Sequence, residues 1–202
     1  MLTAGETCKE TLLRKASEPT AHVAGFGTRV GGLRPSGPPE EIVAAQIQKD
    51  SKILDIGCGG GRNIERFAEQ ISENGRVVGI DYSEVSVEKS QKLNKEAIDK
   101  GIVNVLQGSV SDMPFYDETF DIVTGFETIY FWPDFINDLK EVNRVLKKDG
   151  FIFICNEAVY REGEMEKYDD LVELLDMKIY SEDVLKESLE KTGFKSRTML
   201  AV

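Results

Sequence analysis

The chain has 202 residues, is 41% hydrophobic and 30% charged, and carries a formal net charge of −11. That size and balance suit one globular domain with a core large enough to need no covalent staples. The sequence shows no clustered Lys/Arg stripe of the kind a nucleic-acid backbone requires, which disfavours a nucleic-acid acceptor, and no apolar run approaches a membrane span. Met1 to Ala21 holds no apolar signal-like segment. Three widely spaced cysteines, with no C-x-x-C pair, fit a reducing cytoplasm, and His22 as the sole histidine argues against a metal site. Residues 157 to 191 hold twelve acids against five bases, which reads first as a solvated surface and second as an attraction for cationic ligands.

Met1 to Pro39 differs from the rest. Between Pro19 and Pro39 stand five glycines, four prolines and no acid, a composition that cannot sustain a helix. We expect residues 1–39 to be an arm or lid and 40–202 to be the ligand-binding domain, with helical character resuming over Glu40 to Lys49. Lys52 to Ile56 reads as a buried strand that breaks into Gly57-Cys58-Gly59-Gly60-Gly61. From Arg62, the spacing of Ile64, Phe67, Ala68 and Ile71 is that of a helix face. Further strands are expected at Arg76 to Asp81, Val103 to Gln107, Phe120 to Gly125, and Phe151 to Cys155. Helices are expected at Pro133 to Lys148, with Lys147 and Lys148 in the last turn and Gly150 beyond it, and at Glu164 to Leu175. Ser181 caps a last helix ended by Gly193, and Phe194 to Val202 is a sixth strand. The fold class is therefore α/β, a doubly wound, mostly parallel sheet.

Strand ends of one parallel sheet converge on one crevice, so the loops after four strands point at one pocket. Glycines after the first strand let backbone approach a ligand closely. The spacing is G-x-G-x-G rather than G-x-G-x-x-G, because Arg62 stands where a dinucleotide fingerprint has its third glycine. Asp55 beside this turn would repel a pyrophosphate and suit a ligand carrying ammonium or sulfonium. Asp81, ending the second strand, can accept from both hydroxyls of a ribose. Asp112 lies after the third strand, and the fourth runs into Phe126, Tyr130, Phe131 and Trp132. Singly, each acid reads as well as a cap or turn residue, and Met113 and Phe126 as core. The combination points to one nucleoside-type site.

The series ILDIGCGGG, VVGIDYS, GSVSDMPF, FDIVTGF and EVNRVLKKDGFIFI, across about half the chain, resembles class I S-adenosylmethionine-dependent methyltransferases of the small-molecule, Rossmann-like branch. The resemblance implies that Asp55, Gly57, Cys58, Gly59 and Gly61 cradle the methionine moiety. It places Asp81, Tyr82 and Ser83 at the ribose and adenine, Asp112 and Met113 around the adenine, and Phe126 near the donor methyl. It implies S-adenosylmethionine as donor, S-adenosylhomocysteine as product and in-line transfer to a small-molecule acceptor, while the composition leads us to expect no metal, nucleic-acid or membrane partner. Where the acceptor needs a base, Glu127 and Tyr130 are the catalytic candidates. The family sheet runs 3-2-1-4-5-7-6 with an antiparallel seventh strand. This chain stops after its sixth, so we expect that strand to be lacking, its edge covered by the N-terminal arm or by a second copy in a homodimer. Two other readings stand beside this one: a SAM-binding protein without independent activity, and an NAD(P)-linked oxidoreductase, which the missing glycine opposes.

Overall fold

The computed structural model of the protein describes residues 20–25, 46–156, 158–163 and 165–201. Thr20–Gly25 forms β1 and Lys52–Ile56 forms β2, which leads through the glycine turn into helix α1, Arg62–Ala68. Arg76–Asp81 (β3), Glu84–Leu93 (α2), Lys95–Asp99 (α3) and Val103–Gln107 (β4) follow, then Phe120–Phe126 (β5). A 3₁₀ turn at Ile129–Phe131 precedes Phe135–Val145 (α4) and Leu146–Asn156 (β6). A second 3₁₀ turn, Met165–Tyr168, runs into Asp169–Leu175 (α5), and the chain closes with Glu182–Lys191 (α6) and Lys195–Ala201 (β7).

The strands form one sheet in the order β4-β3-β2-β5-β6-β1-β7, and every pairing is parallel. Strand periodicity explains why both faces are covered, since successive side chains point to opposite sides. Leu54, Val123, Ile152 and Ile154 enter one buried cluster with Leu139, Val142 and Val145 of α4 and Leu185 and Leu189 of α6. Their neighbours Ile53, Ile122 and Phe153 enter the other, with Ile64 and Phe67 of α1 and Val87 of α2. This alternation fixes which residues are left over at the strand ends to face a ligand.

Three expectations need correction. Helix α4 starts at an N-cap, Asp134, whose carboxylate accepts from Asn137 N at 3.2 Å, but it ends at Val145. Leu146 turns extended and pairs with Phe120, while Lys147 bonds Asp121 Oδ1 at 2.7 Å and Lys148 pairs with Glu118, so neither lysine sits in a helical turn. Cross-strand pairing and two ion pairs have overridden the helical spacing, and Gly150 lies within β6. The segment expected as one helix from 164 to 175 is a 3₁₀ turn followed by α5, residue 164 lying outside the described residues. Of the helix expected over 40–49, residues 40–45 also lie outside them, and Gln46 to Lys49 is turn and coil.

Residues 40–202 supply six of the strands among those described. The position that an antiparallel seventh strand would take, between β6 and the last strand, is held instead by β1, which runs parallel to both. Thr20 stands opposite Phe151 and Lys195, and Gly25 opposite Asn156 and Ala201.

Candidate functional site

At the carboxyl end of β2 the chain makes its glycine turn in left-handed backbone, with Gly57 at φ 69° and Gly61 at φ 81°. Those angles favour residues without a Cβ, and space reinforces the choice. A Cβ on Gly57 would strike the Thr128 hydroxyl, and one on Gly61 would meet Ser90 and Asn94 Nδ2, whose amide donates to Gly61 O at 3.1 Å. Gly57 N and Cys58 N both donate to Ile80 O, at 2.8 and 3.1 Å, which locks the turn to β3.

Asp81 ends β3, 7% exposed, and its carboxylate organises the turn. Oδ2 accepts from Gly59 N at 2.8 Å and Oδ1 from Ser83 N at 2.9 Å. A carboxylate offers about four lone-pair sites, so both oxygens keep acceptor capacity. Ser83 caps α2 by accepting from Ser86 N at 3.4 Å. Tyr82 beside them is 73% exposed.

Asp55 lies beneath the turn, 2% exposed, and accepts from the Thr124 hydroxyl at 2.7 Å. Burial pushes its carboxyl up to about 7, the Thr124 bond opposes this and the nearby Asp81 charge adds to it. Burial, with the same two acids, lifts the Cys58 thiol to about 12, so this cysteine is a packed thiol and no nucleophile.

A cavity of 620 Å³ opens above these strand ends. Gly57, Asp81, Tyr82 and Ser83 line one side, and Gly108, Ser109 and Val110 after β4 another. Glu127, Thr128, Phe131, Trp132 and Pro133, with Leu175 and Asp176 after α5, close the rest. Among the described residues the lining includes three carboxylates (Asp81, Glu127 and Asp176) and no Lys, Arg or His.

Of the expected site residues, the structure thus brings Gly57, Asp81, Tyr82, Ser83 and Glu127 to the cavity, with Cys58, Gly59 and Gly61 in the turn behind it and Asp55 in β2 beneath that turn. It does not bring Asp112, Met113 or Phe126 there. Asp112 is exposed on a tight turn that bridges back to Ser109, and Met113 is 3% exposed in the core under α4. Phe126 sits on the other face of the sheet against Phe67 and Phe153. Ser109 and Val110, two and three residues past the strand end at Gln107, line the cavity instead. Thr128, Leu175 and Asp176 carry no comparable signal in the sequence.

Glu127 is exposed at the cavity wall in left-handed backbone, φ 56°, with its N–H donating to Cys155 O at 2.8 Å. A glutamate held in that conformation stores strain of about 1–2 kcal/mol. Tyr130, 3% exposed, lies outside the cavity lining and has its hydroxyl within 3.0 Å of Glu127 Oε2 while accepting from Ala158 N at 2.7 Å. Burial, then the Glu127 charge, raises the phenol well above its ordinary range. Tyr130 therefore keeps its proton, and its hydroxyl donates a hydrogen bond to Glu127 Oε2 or to Ala158 O. Among the described residues no group of three or more His, Cys, Asp or Glu could hold a metal, and no helix is long and apolar enough to cross a membrane.

Residues 54–154 match the family model described as methyltransferase domain. A demethylmenaquinone methyltransferase from Bacillus cereus is 41% identical over 124 residues, which is 59% of this chain and 49% of that protein. A namesake from Staphylococcus carnosus is 35% identical over 127 residues, 58% and 50% of the two chains. The chain spans about half the length of these curated relatives. A SAM-dependent methyltransferase from Aquifex aeolicus shares the fold at a TM-score of 0.62 and 22% identity, over 77% of this chain and 78% of that one. The [4+2]-cyclase SpnF does so at 0.66 and 22%, over 87% and 65%. The fold by itself therefore names no reaction.

Proposed function

The chain belongs to the methyltransferase-domain family, and from that premise we propose that its cavity binds S-adenosylmethionine and transfers the methyl group to a small-molecule acceptor. The observation that carries this reading is the ligand chemistry of the lining. Asp81 presents acceptor capacity at the end of β3, beside a turn that has no room for a side chain at Gly57 or Gly61, and among the described residues no cationic residue lines the cavity to hold a pyrophosphate. Such a site suits a cationic nucleoside and disfavours NAD.

The donor set fits the group. Asp81 would accept from the ribose hydroxyls, Ser109 and Val110 would border the adenine with Ile80, and the turn from Gly57 to Gly61 would receive the methionine end. Bound there, S-adenosylmethionine would supply an activated methyl group on a sulfonium centre. The protein's share is alignment and exclusion of water. Phe131, Trp132 and Leu175 supply apolar wall, and aromatic faces favour a neighbouring positive charge. Glu127, held by the Tyr130 hydroxyl, would take a proton from an acceptor hydroxyl, amine or acidic carbon. The product would be S-adenosylhomocysteine. The burial of Cys58 and Cys155 agrees with a reducing, cytoplasmic setting, and the relatives, which are demethylmenaquinone methyltransferases, support a small-molecule acceptor.

The test is calorimetric titration with S-adenosylmethionine, followed by an assay for methyl transfer to a panel of phenols, quinols and amines. One saturable site together with acceptor-dependent release of S-adenosylhomocysteine is expected. Binding without turnover on any acceptor would support a SAM-binding role without independent activity.

A further inference from the structure

One buried carboxylate bonds the segments next to two walls of the cavity. Asp138 lies on α4, 0% exposed, among positions otherwise filled by Leu139, Val142 and Val145. Its Oδ1 accepts from the Ser111 hydroxyl at 2.7 Å, and its Oδ2 accepts from Asp134 N at 2.9 Å. Ser111 N in turn donates to Ser109 Oγ at 3.2 Å, and Ser109 lines the cavity. Asp134 directly follows Trp132 and Pro133, which line the opposite wall. The bond to Asp134 N is helix capping from one turn away. The bond to Ser111 reaches across 27 residues of chain and serves no cap.

The same helix holds the rest of that segment. Glu141 Oε1 accepts from Met113 N at 2.9 Å, and Arg144 donates to Phe115 O at 2.7 Å and to Met113 O at 3.1 Å. Residues 138, 141 and 144 recur at a spacing of three, so they present one face to the segment from Ser111 to Phe115. Among them, only Asp138 also bonds Asp134, the residue that follows the aromatic wall. A carboxylate is costly to bury, and leucine would fill this position at less cost. What only the acid supplies is acceptors in two directions.

We infer that Asp138 is a positioning residue that fastens the nucleoside wall, Gly108 to Val110, to the aromatic wall, Phe131 to Pro133. The inference rests on the donor reading above for which part of the ligand meets which wall. Donor and acceptor pockets then share one buried anchor, and loosening either wall loosens the other.

The test uses the full chain and three variants, Ser111→Ala, Ser111→Thr and Asp138→Asn. Ser111→Ala cuts the tie at an exposed residue and leaves the core intact. It should weaken S-adenosylhomocysteine and adenosine binding by about tenfold, the factor that ~1.4 kcal/mol of hydrogen bonding carries. Ser111→Thr keeps the hydroxyl and should restore binding. Without ligand, amide exchange over 108–115 should quicken in both Ser111→Ala and Asp138→Asn, and over 131–134 in Asp138→Asn. Unchanged exchange in both variants, or faster exchange with unchanged affinity, would overturn the inference. A wild-type chain that binds no S-adenosylhomocysteine contradicts the donor reading, and the exchange arm still decides the fastening.

Discussion

Gly59 N donates to Asp81 Oδ2 at 2.8 Å, so the glycine turn after β2 hangs from the carboxylate that ends β3. The residue proposed to hold a ribose thus also shapes the loop proposed to hold the methionine end. Asp81→Ala should weaken S-adenosylmethionine binding by about 1.5–3 kcal/mol, the scale for bonds to a charged group. Asp81→Asn should lose less, since one oxygen acceptor survives. Calorimetry on both variants checks the order, and equal affinities would disprove the assignment.

Asp55 supplies a pH dependence. Its folded-state pKa, about 7, lies above the ordinary 3.8, so the folded protein binds more protons than the unfolded chain between those values. Its contribution to stability is full below about pH 4 and is lost as pH rises through about 7. A cationic ligand nearby favours the carboxylate, so S-adenosylmethionine affinity should rise over the same window, with proton release. Titrations at pH 5.5 and 8 in buffers of different ionisation enthalpy measure both, and Asp55→Asn should flatten them.

Glu127 separates stability from activity. Glu127→Gly relieves the left-handed backbone and should raise stability by about 1 kcal/mol, or about 2–4 °C in melting temperature for a chain of this size. It should also cut methyl transfer by about 10²–10⁴ where the acceptor needs a base, with donor affinity unchanged. Tyr130→Phe should cut methyl transfer less, and lower the melting temperature because Ala158 N loses its acceptor. A stabilised Glu127→Gly variant with full turnover would remove Glu127 from the chemistry.

Gly57 and Gly60 make a control pair. Gly57→Ala puts a Cβ against Thr128 at a positive φ and should cost more than about 1–2 kcal/mol. Gly60 has open space at its Cβ position, so Gly60→Ala should hold or raise the melting temperature. Thermal unfolding of the two variants side by side is the check.

How far the sequence could be read follows from how local each signal is. Strands β2 to β5 were legible because each is a short apolar run bounded by turn residues, and Asp81 because it closes such a run. The parallel pairing of Thr20–Gly25 was not, because a stretch rich in glycine and proline gives no periodicity and its partners lie about 130 and 175 residues away in sequence. The end of α4 was misplaced by three residues, since Leu146 continues the helical spacing while its backbone already pairs with β5. Phe126 looked like a site residue, yet strand alternation sends it to the opposite face and leaves Glu127 at the cavity. The tight turn from Ser109 to Asp112 likewise carries Ser109 and Val110 to the wall and Asp112 away from it.

The most direct measurement is a thermal-shift titration with S-adenosylmethionine, S-adenosylhomocysteine and NAD in parallel. A ligand at about 100 times its dissociation constant adds roughly 2.7 kcal/mol, which is about 5–11 °C for a domain of this size. We predict that shift with the first two ligands and none with NAD. A shift with NAD alone, or with none of the three, would contradict the account.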